Sequence, residues 1–380
     1  MNVLHVLPVV APRHGGPSAA IFPMCRALRS CGVDATIATT DLDGEGRLDV
    51  DVERVQPYDG VPTIFFSATR RAGLTQTAPL AAWIDRHVGR FDVVHVHEVF
   101  AHSSVAAARA AACHATPYIV QPHGTLDPWC LARKRLRKRM FLALAGSSML
   151  RAAAAVQYTT DEEQRRAAAW PPARRAATVV PLGVPDESFG DPRPDVSAPF
   201  VLALCRLHPK KGLELLIRAF AGLGDAAETS RWRLVIAGDG DARYVARLRQ
   251  YAAQSGASAR ISFPGWVDGR RRHELHRAAS LHALPSYQEN FGLSIVEAMA
   301  AGVPVLAASG VNLARDIEAA GAGWIADYDV AAVRDALRRA MTDAEERTRR
   351  AAAARRLAER FRWSAVAPLL AAAYRSAAAA

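Results

Sequence analysis

The chain has 380 residues, half of them apolar and 22% charged, so neither a disordered chain nor a low-complexity fibre fits, and two ordinary domains could each bury a core. Its 48 Lys+Arg against 37 Asp+Glu leave a net charge of +11, which favours anionic partners: nucleic acid, phosphorylated small molecules or an acidic membrane face. Only four of the cations are lysine (Lys134, Lys138, Lys210 and Lys211), so the abundance of arginine says little by itself.

Asn2–Val9 reads as a strand with no basic segment before it, and no signal peptide is expected. Gly15-Gly16-Pro17 follows as a turn, and Ser18–Ser30 as a helix with Pro17 near its first turn. Strands are expected at Val33–Thr39, Thr63–Phe66, Asp92–His97 and Tyr118–Gln121, with helices Pro79–His87 and Ser103–Ala112 among them. Val156–Tyr158, a helix from Asp161 and a strand Ala177–Pro181 complete this half. Asp186–Pro199, proline-rich among acidic and polar residues, reads as a linker. Beyond it the expected order is strand Phe200–Leu204, helix Leu213–Ala221, strand Arg233–Ala237, helix Arg243–Gln254 and strand Ile261–Phe263. Helix Arg271–Ala279, strand Leu281–Leu284, helix Leu293–Ala301 and strand Val303–Ala307 follow. The tail from Ala331 is helical by composition, and Trp363, Val366, Leu369, Leu370 and Tyr374 mark a packed helix.

Such alternation predicts an α/β protein of two doubly wound, Rossmann-like domains facing across a cleft. The expected division is residues 1–185, with a C-terminal helix of about 360–380 packing back, then a linker 186–199, then residues 200–359. No window approaches the roughly 18 apolar residues of a membrane-spanning helix. Five cysteines without a CxxC pair argue against a disulfide framework and a zinc knuckle. The expectation is a cytoplasmic protein.

The densest chemistry lies in Ser286-Tyr287-Gln288-Glu289-Asn290-Phe291-Gly292-Leu293-Ser294-Ile295-Val296-Glu297. A strand ends, Gly292 turns the chain, and a helix starts at about Leu293, whose free backbone N–H groups offer an anion site. Glu297 lies one turn into an otherwise apolar helix, so its carboxylate needs partners: a ribose diol beside a bound diphosphate, or simply an arginine. Glu289 to Glu297, followed by Ala298-Met299-Ala300-Ala301-Gly302-Val303-Pro304, resembles the E-x7-E signature of retaining glycosyltransferases. More narrowly it resembles glycosyltransferase family 4, the glycogen synthase/phosphatidylinositol mannosyltransferase-like group with the GT-B fold. The match runs in order over nearly the whole chain. It implies transfer of a sugar from a nucleotide diphosphate donor with retention of configuration, without a metal or other cofactor. By that resemblance Glu297 binds the ribose hydroxyls and Glu289 acts on the donor sugar as a catalytic residue. The backbone of Gly292, Leu293 and Ser294, next to Phe291, holds the phosphates.

Leu204-Cys205-Arg206-Leu207-His208-Pro209-Lys210-Lys211-Gly212 is a cationic loop opening a helix, suited to neutralising a diphosphate leaving group. The positive end of the helix dipole disfavours cations placed there only for solvation. In the family the matching Arg206 and Lys211 contact the diphosphate; Cys205 stands where the family usually has glycine, which puts the loop geometry in question. Gly15 and Gly16 would approach the donor phosphates, with Arg13 and His14 beside them on the acceptor side. Gln121-Pro122-His123-Gly124 ends a strand in a His-Gly turn. The resemblance makes His123 the second catalytic residue, positioning the sugar or an acceptor hydroxyl; a structural histidine is the other reading. Phe263-Pro264-Gly265-Trp266-Val267 matches the base-binding loop, with Trp266 packed there or in the core.

Arg133-Lys134-Arg135-Leu136-Arg137-Lys138-Arg139 reads as an interfacial segment on anionic lipid, admitting a lipid-linked acceptor at the inner face of the plasma membrane, as a solvated helix face, or as a patch for an anionic soluble acceptor. Asp41-Leu42-Asp43 and Asp49-Val50-Asp51 match DxD but read as loop acids. His95-Val96-His97-Glu98 puts two histidines on one strand face without a second ligand pair. His97 is therefore assigned to the acceptor side, and no metal is expected. Gly238-Asp239-Gly240-Asp241 lacks the third glycine of a dinucleotide turn.

These readings point to a hexosyltransferase of bacterial exopolysaccharide or lipopolysaccharide assembly. Its expected partners are a nucleotide-sugar donor and a glycan or lipid-linked saccharide acceptor, not nucleic acid. A sugar-phosphate synthase or UDP-GlcNAc epimerase on the same fold is the alternative. A non-enzymatic nucleic-acid-binding protein is less well supported, since no aromatic-interleaved motif accompanies the charge.

Overall fold

The computed structural model describes residues 1–71, 74–170, 176–192, 198–224 and 226–379, so 193–197 of the expected linker lie outside the described residues. The chain divides into two compact units, Met1–Gly183 with Trp363–Ala380, and Val184–Arg362. Each is an α/β unit around a mostly parallel sheet, as the alternation predicted.

In the first unit the sheet strands are β1 (Asn2–Val9), β2 (Asp34–Thr40), β3 (Val55–Tyr58), β4 (Val61–Phe66), β5 (Val93–His97), β6 (Tyr118–Gln121), β7 (Ala155–Tyr158) and β8 (Ala177–Val179). Their order is β8-β7-β6-β5-β1-β2-β4-β3. All neighbours are parallel except β3, which pairs antiparallel with β4 at the edge. Pro57 hid β3 from the sequence reading, because a proline is tolerated only on such an edge. The inner strands are β-branched runs because both faces are covered; β5 buries all five residues although two are histidines. The helix Gly16–Leu28 starts one residue after Gly15, so Gly16 and Pro17 form its first turn rather than a separate turn.

The second unit carries β9 (Phe200–Leu204), β10 (Arg233–Ala237), β11 (Ile261–Gly265), β12 (Leu281–Leu284), β13 (Val305–Ala308) and β14 (Gly323–Ala326). Their order is β11-β10-β9-β12-β13-β14, all parallel. Strand β14 and the helix Ala314–Ala319 before it, both short, were not anticipated. In such a sheet a ligand site forms where the strand order reverses, beyond the carboxyl ends of the two central strands. Here that point lies between β9 and β12, so the loop after β9 and the loop after β12 leave the sheet side by side. In the first unit the same reversal falls between β1 and β5.

The C-terminal helix Trp363–Ala378 belongs to the first unit. Val366, Leu370 and Tyr374 recur every fourth residue and are fully buried, whereas Leu369, expected in the packed set, falls off that stripe and is 52% exposed. The stretch expected to begin the linker forms a 3₁₀ turn, Asp186–Phe189, with Phe189 buried in the second unit.

Candidate functional site

At the reversal point of the second unit, Pro209–Lys211 forms a 3₁₀ turn whose entry is capped by His208 Nδ1, which accepts from the Lys210 N–H at 3.1 Å. Gly212 then opens the helix Leu213–Ala221. The loop after β12 runs alongside, tied by the Tyr287 N–H donating to the Lys210 carbonyl at 2.9 Å. This brings together residues 78 positions apart: Lys211 Nζ donates to Glu289 Oε2, and both side chains are only 12% exposed. Burial alone would raise the Glu289 pKa. The charges of Lys211, Lys210 and Arg206, with the Lys211 hydrogen bond, outweigh it and hold the carboxyl below its ordinary value.

The Glu289 loop is braced from the segment that follows β13. Its N–H donates to the Gly310 carbonyl at 3.2 Å, and its carbonyl accepts from Asn312 N–H at 3.0 Å. Gly292, at φ +80°, turns the chain into the helix Leu293–Ala300. The first amides to find an acceptor are Ile295 and Val296, both bonding the Gly292 carbonyl. The N–H groups of Leu293 and Ser294 have no backbone acceptor recorded among the described residues, and both residues are partly exposed. The expected amide pair is thus present beside the Lys211–Glu289 ion pair. Phe291 contributes only backbone there, since its ring is buried edge-on against Phe361 at 5.5 Å.

Glu297 is 5% exposed and faces the helix Gly269–Ala278, with Arg272 Nη1 and His276 Nε2 each 3.4 Å from one carboxylate oxygen. Burial again opposes ionisation, and Arg272 and His276 reverse it, so the pKa is lowered. The arginine partner left open by the sequence is therefore Arg272. At 3.4 Å both contacts exceed ordinary hydrogen-bond length, which leaves the carboxylate capacity to accept. Arg206 is exposed, as is Trp266 at 54%, so Trp266 is not a core residue. Cys205 has no positive φ, so the backbone there does not require a glycine. The Gly238-Asp239-Gly240 run extends the strand pairing, Leu207 N–H donating to the Asp239 carbonyl at 2.8 Å.

In the first unit, His123 closes β6 at φ +53°. Its turn is held by Glu163, whose buried carboxylate accepts from Gly124 N–H at 2.5 Å and from Thr159 N–H and Oγ1 at 2.7 Å each. The sequence reading missed Glu163; its signal was the Thr160-x-x-Glu163 spacing of a helix start, where Thr160 Oγ1 accepts from Glu163 N–H. His123 Nε2 lies 3.0 Å from His97 Nδ1. Glu98, also missed, sits at the end of β5 at φ +66°, and burial pushes its carboxyl up to about 7. Arg13 and His14 are engaged by the hairpin Leu42–Arg47: Arg13 pairs with Asp43 at 2.6 Å, and His14 Nε2 accepts from Gly44 N–H at 3.2 Å. Asp41 pairs with Arg47, so both acids of the first DxD match have arginine partners.

Burial holds His5 and His123 neutral down to about 3 and lowers His95, His97 and His282 as well. Such rings take up protons below 6.5 only on unfolding, so their contribution is complete above 6.5 and declines as pH falls. Glu289 and Glu297, with lowered pKa values, keep theirs until pH drops below the unfolded value of 4.5. Thermal melts should therefore show the midpoint falling already between pH 6.5 and 4.5. A midpoint flat across that interval contradicts the neutral, buried rings.

Residues 186–357 match the glycosyl transferases group 1 family, and residues 15–183 match the glycosyl transferase 4-like domain. A D-inositol 3-phosphate glycosyltransferase of Xylanimonas cellulosilytica is 32% identical over 203 residues, covering 49% of this chain and 48% of that protein. The chain thus aligns with about half the length of that curated relative. Among solved structures, HepE of Anabaena in complex with UDP and glucose superposes with TM-score 0.79 at 21% identity, over 99% of this chain and 100% of that one. WaaG, a glycosyltransferase involved in lipopolysaccharide biosynthesis, gives 0.72 at 18% identity, over 98% and 99%. At these identities the likeness establishes the fold: two parallel Rossmann-like sheets of the GT-B type.

Proposed function

Since the chain belongs to the group 1 glycosyl transferases, matching that family in its second half and the glycosyl transferase 4-like domain in its first, we propose that it moves a hexosyl group from a nucleoside diphosphate sugar to a glycan or lipid-linked glycan, with retention of configuration and without a metal. The observation that carries this reading is the buried Lys211–Glu289 pair beside the Leu293 and Ser294 amides. A diphosphate seated on those amides would meet Lys211 and, from the exposed rim, Arg206. As the glycosidic bond breaks, charge accumulates on the leaving phosphate, and cations fixed in advance stabilise it without reorganisation. Glu289, kept ionised by the same lysine, accepts hydrogen bonds from donor-sugar hydroxyls. Glu297 takes the ribose diol in addition to its long contacts with Arg272 and His276. Gly15, Gly16 and Trp266 are assigned to the phosphates and base, and His123, Arg13 and His14 to the sugar and acceptor side; His97, expected there too, is buried with both ring nitrogens taken by His5 and His123, so it stands behind His123 rather than against an acceptor. The UDP complexes of HepE make uridine the first base to test.

A membrane-presented acceptor is favoured by the helix Arg135–Phe141 and the residues after it. Leu136 within the cations of 133–139, and Met140 and Leu144 just after them, are 79%, 62% and 81% exposed. No helix among the described residues is long and apolar enough to cross a membrane, so this contact would be peripheral, and surface-polysaccharide assembly is the process it suits. Incubating the purified protein with a nucleotide-sugar panel tests the reading, with and without glycolipid acceptor in anionic vesicles and with product anomers read by NMR. Turnover of one donor with retention is expected, faster with the vesicles. Inversion, or no donor consumed, overturns the transferase reading; a rate indifferent to vesicles overturns the membrane part alone.

A further inference from the structure

Parallel register places His5 of β1 opposite His95 of β5, and His97 opposite Gln121 of β6, so these side chains share one buried face of the first sheet. The C-terminal helix covers that face with Tyr374. His5, His95 and Tyr374 are 0% exposed and His97 is 2% exposed. The polar atoms connect in sequence. Tyr374 Oη lies 2.8 Å from His95 Nδ1 and 3.5 Å from His5 Nε2, His5 Nδ1 lies 3.1 Å from His97 Nε2, and His97 Nδ1 lies 3.0 Å from His123 Nε2. A parallel sheet has no structural need for such a row; aliphatic residues would fill it without desolvating five polar groups.

We propose that His97, His5 and Tyr374 are positioning residues that set which nitrogen of His123 carries the proton. A neutral imidazole has one N–H and one lone pair, so a row of neutral rings must point its hydrogen bonds one way throughout. The end of the row decides which way. The 2.8 Å contact suits the Tyr374 hydroxyl donating to His95, and the 3.5 Å contact is then the His5 Nε2–H reaching the tyrosine oxygen. His97 Nε2–H donates to His5, and His123 Nε2–H donates to His97. Nδ1 of His123, a buried nitrogen with no partner among the described residues, is left with a bare lone pair, an unmet acceptor that a sugar hydroxyl reaching it would satisfy. Burial, which lowers the pKa of every ring in the row, keeps the row neutral and therefore directional. Nitrogens of His5, His95 and His97 also lie within 4.8 Å of one another, close enough for a metal ion. However, the His95 and His97 rings are stacked at 4.2 Å, and the row already engages the nitrogens of His5 and His97. The hydrogen-bonded arrangement is favoured.

The catalytic consequence rests on the transferase reading, but the tautomer does not. In ¹⁵N NMR spectra of the full chain, His123 should show a single Nε2–H tautomer with Nδ1 unprotonated. Tyr374→Phe keeps the ring and removes the hydroxyl. It should convert His123 to a mixture and lower kcat about tenfold at unchanged donor KM, as outer partners do for other fixed imidazoles. A mixed tautomer in the unaltered protein, a His123 signal indifferent to Tyr374→Phe, or one equivalent of zinc in the purified protein overturns the proposal. If no donor is turned over while the single tautomer is seen, the relay stands and the transferase reading fails. Transfer without the tautomer signature has the opposite meaning.

Discussion

Lys211→Ala is expected to lower sugar transfer at least about a hundredfold and to lower the melting temperature as well. Two separate losses combine. The nearest cation to the departing diphosphate disappears, and preorganised charge at that position is the main stabilisation available to such a leaving group. The second loss falls on Glu289, whose side chain is 12% exposed and whose pKa is lowered chiefly by Lys211 against the effect of burial. Removing one partner of a buried pair costs about 3–5 kcal/mol, because the other charge remains desolvated. The double variant Lys211→Ala/Glu289→Gln separates the two effects: the melting temperature should recover substantially, while transfer stays low. Recovery of both, or an unaltered rate in the single variant, would show that Lys211 has no part in the chemistry.

The second large effect is expected from one methyl group. Gly212, at φ +69°, follows Lys211 and lies against the end of β12, where an added Cβ would sit 2.1 Å from the Pro285 carbonyl oxygen. That oxygen is backbone and cannot rotate away. Gly212→Ala thus combines a left-handed conformation, about 1–2 kcal/mol for a residue with a Cβ, with forced separation of the two loops that bring Lys211 and Glu289 together. A destabilisation of about 3–5 kcal/mol is expected in urea unfolding, with loss of transfer in whatever remains folded. Gly256→Ala is the control: φ is +75° but nothing lies within 4 Å, so only the conformational part should appear. Equal effects at the two glycines would contradict the close approach.

Much of this architecture was readable from local pattern. Val/Ile/Leu runs alternating with alanine-rich amphipathic stretches gave Phe200–Leu204, Leu213–Ala221 and Leu281–Leu284 with their observed bounds. The residues proposed for the donor site could be singled out because loop-borne motifs keep chemistry and spacing together: Glu289, Gly292 and Glu297 lie on one turn and one helix. What escaped the sequence depends on tertiary placement. The Lys211–Glu289 pair requires two loops to emerge at the same sheet reversal, and Arg272 reaches Glu297 from a different helix. Glu163 stabilises the His123 turn from 39 residues away. The histidine row needs strand register, because His5 and His95 are 90 positions apart in sequence and adjacent only once β1 and β5 pair. Trp266 was ambiguous because an aromatic next to Gly265 fits a core and a ligand edge equally well, and only its exposure decides against the core.

The most direct measurement is a calorimetric titration of UDP, GDP, ADP and TDP, at fixed salt, into the unaltered protein and into Lys211→Ala and Glu297→Ala. One nucleoside diphosphate should bind the unaltered protein with one-to-one stoichiometry and bind each variant at least about tenfold more weakly, a loss of about 1.4 kcal/mol or more. Equal affinity of that nucleotide for all three proteins would place the diphosphate elsewhere and contradict a donor site built on Lys211, Glu297 and the helix that starts at Leu293.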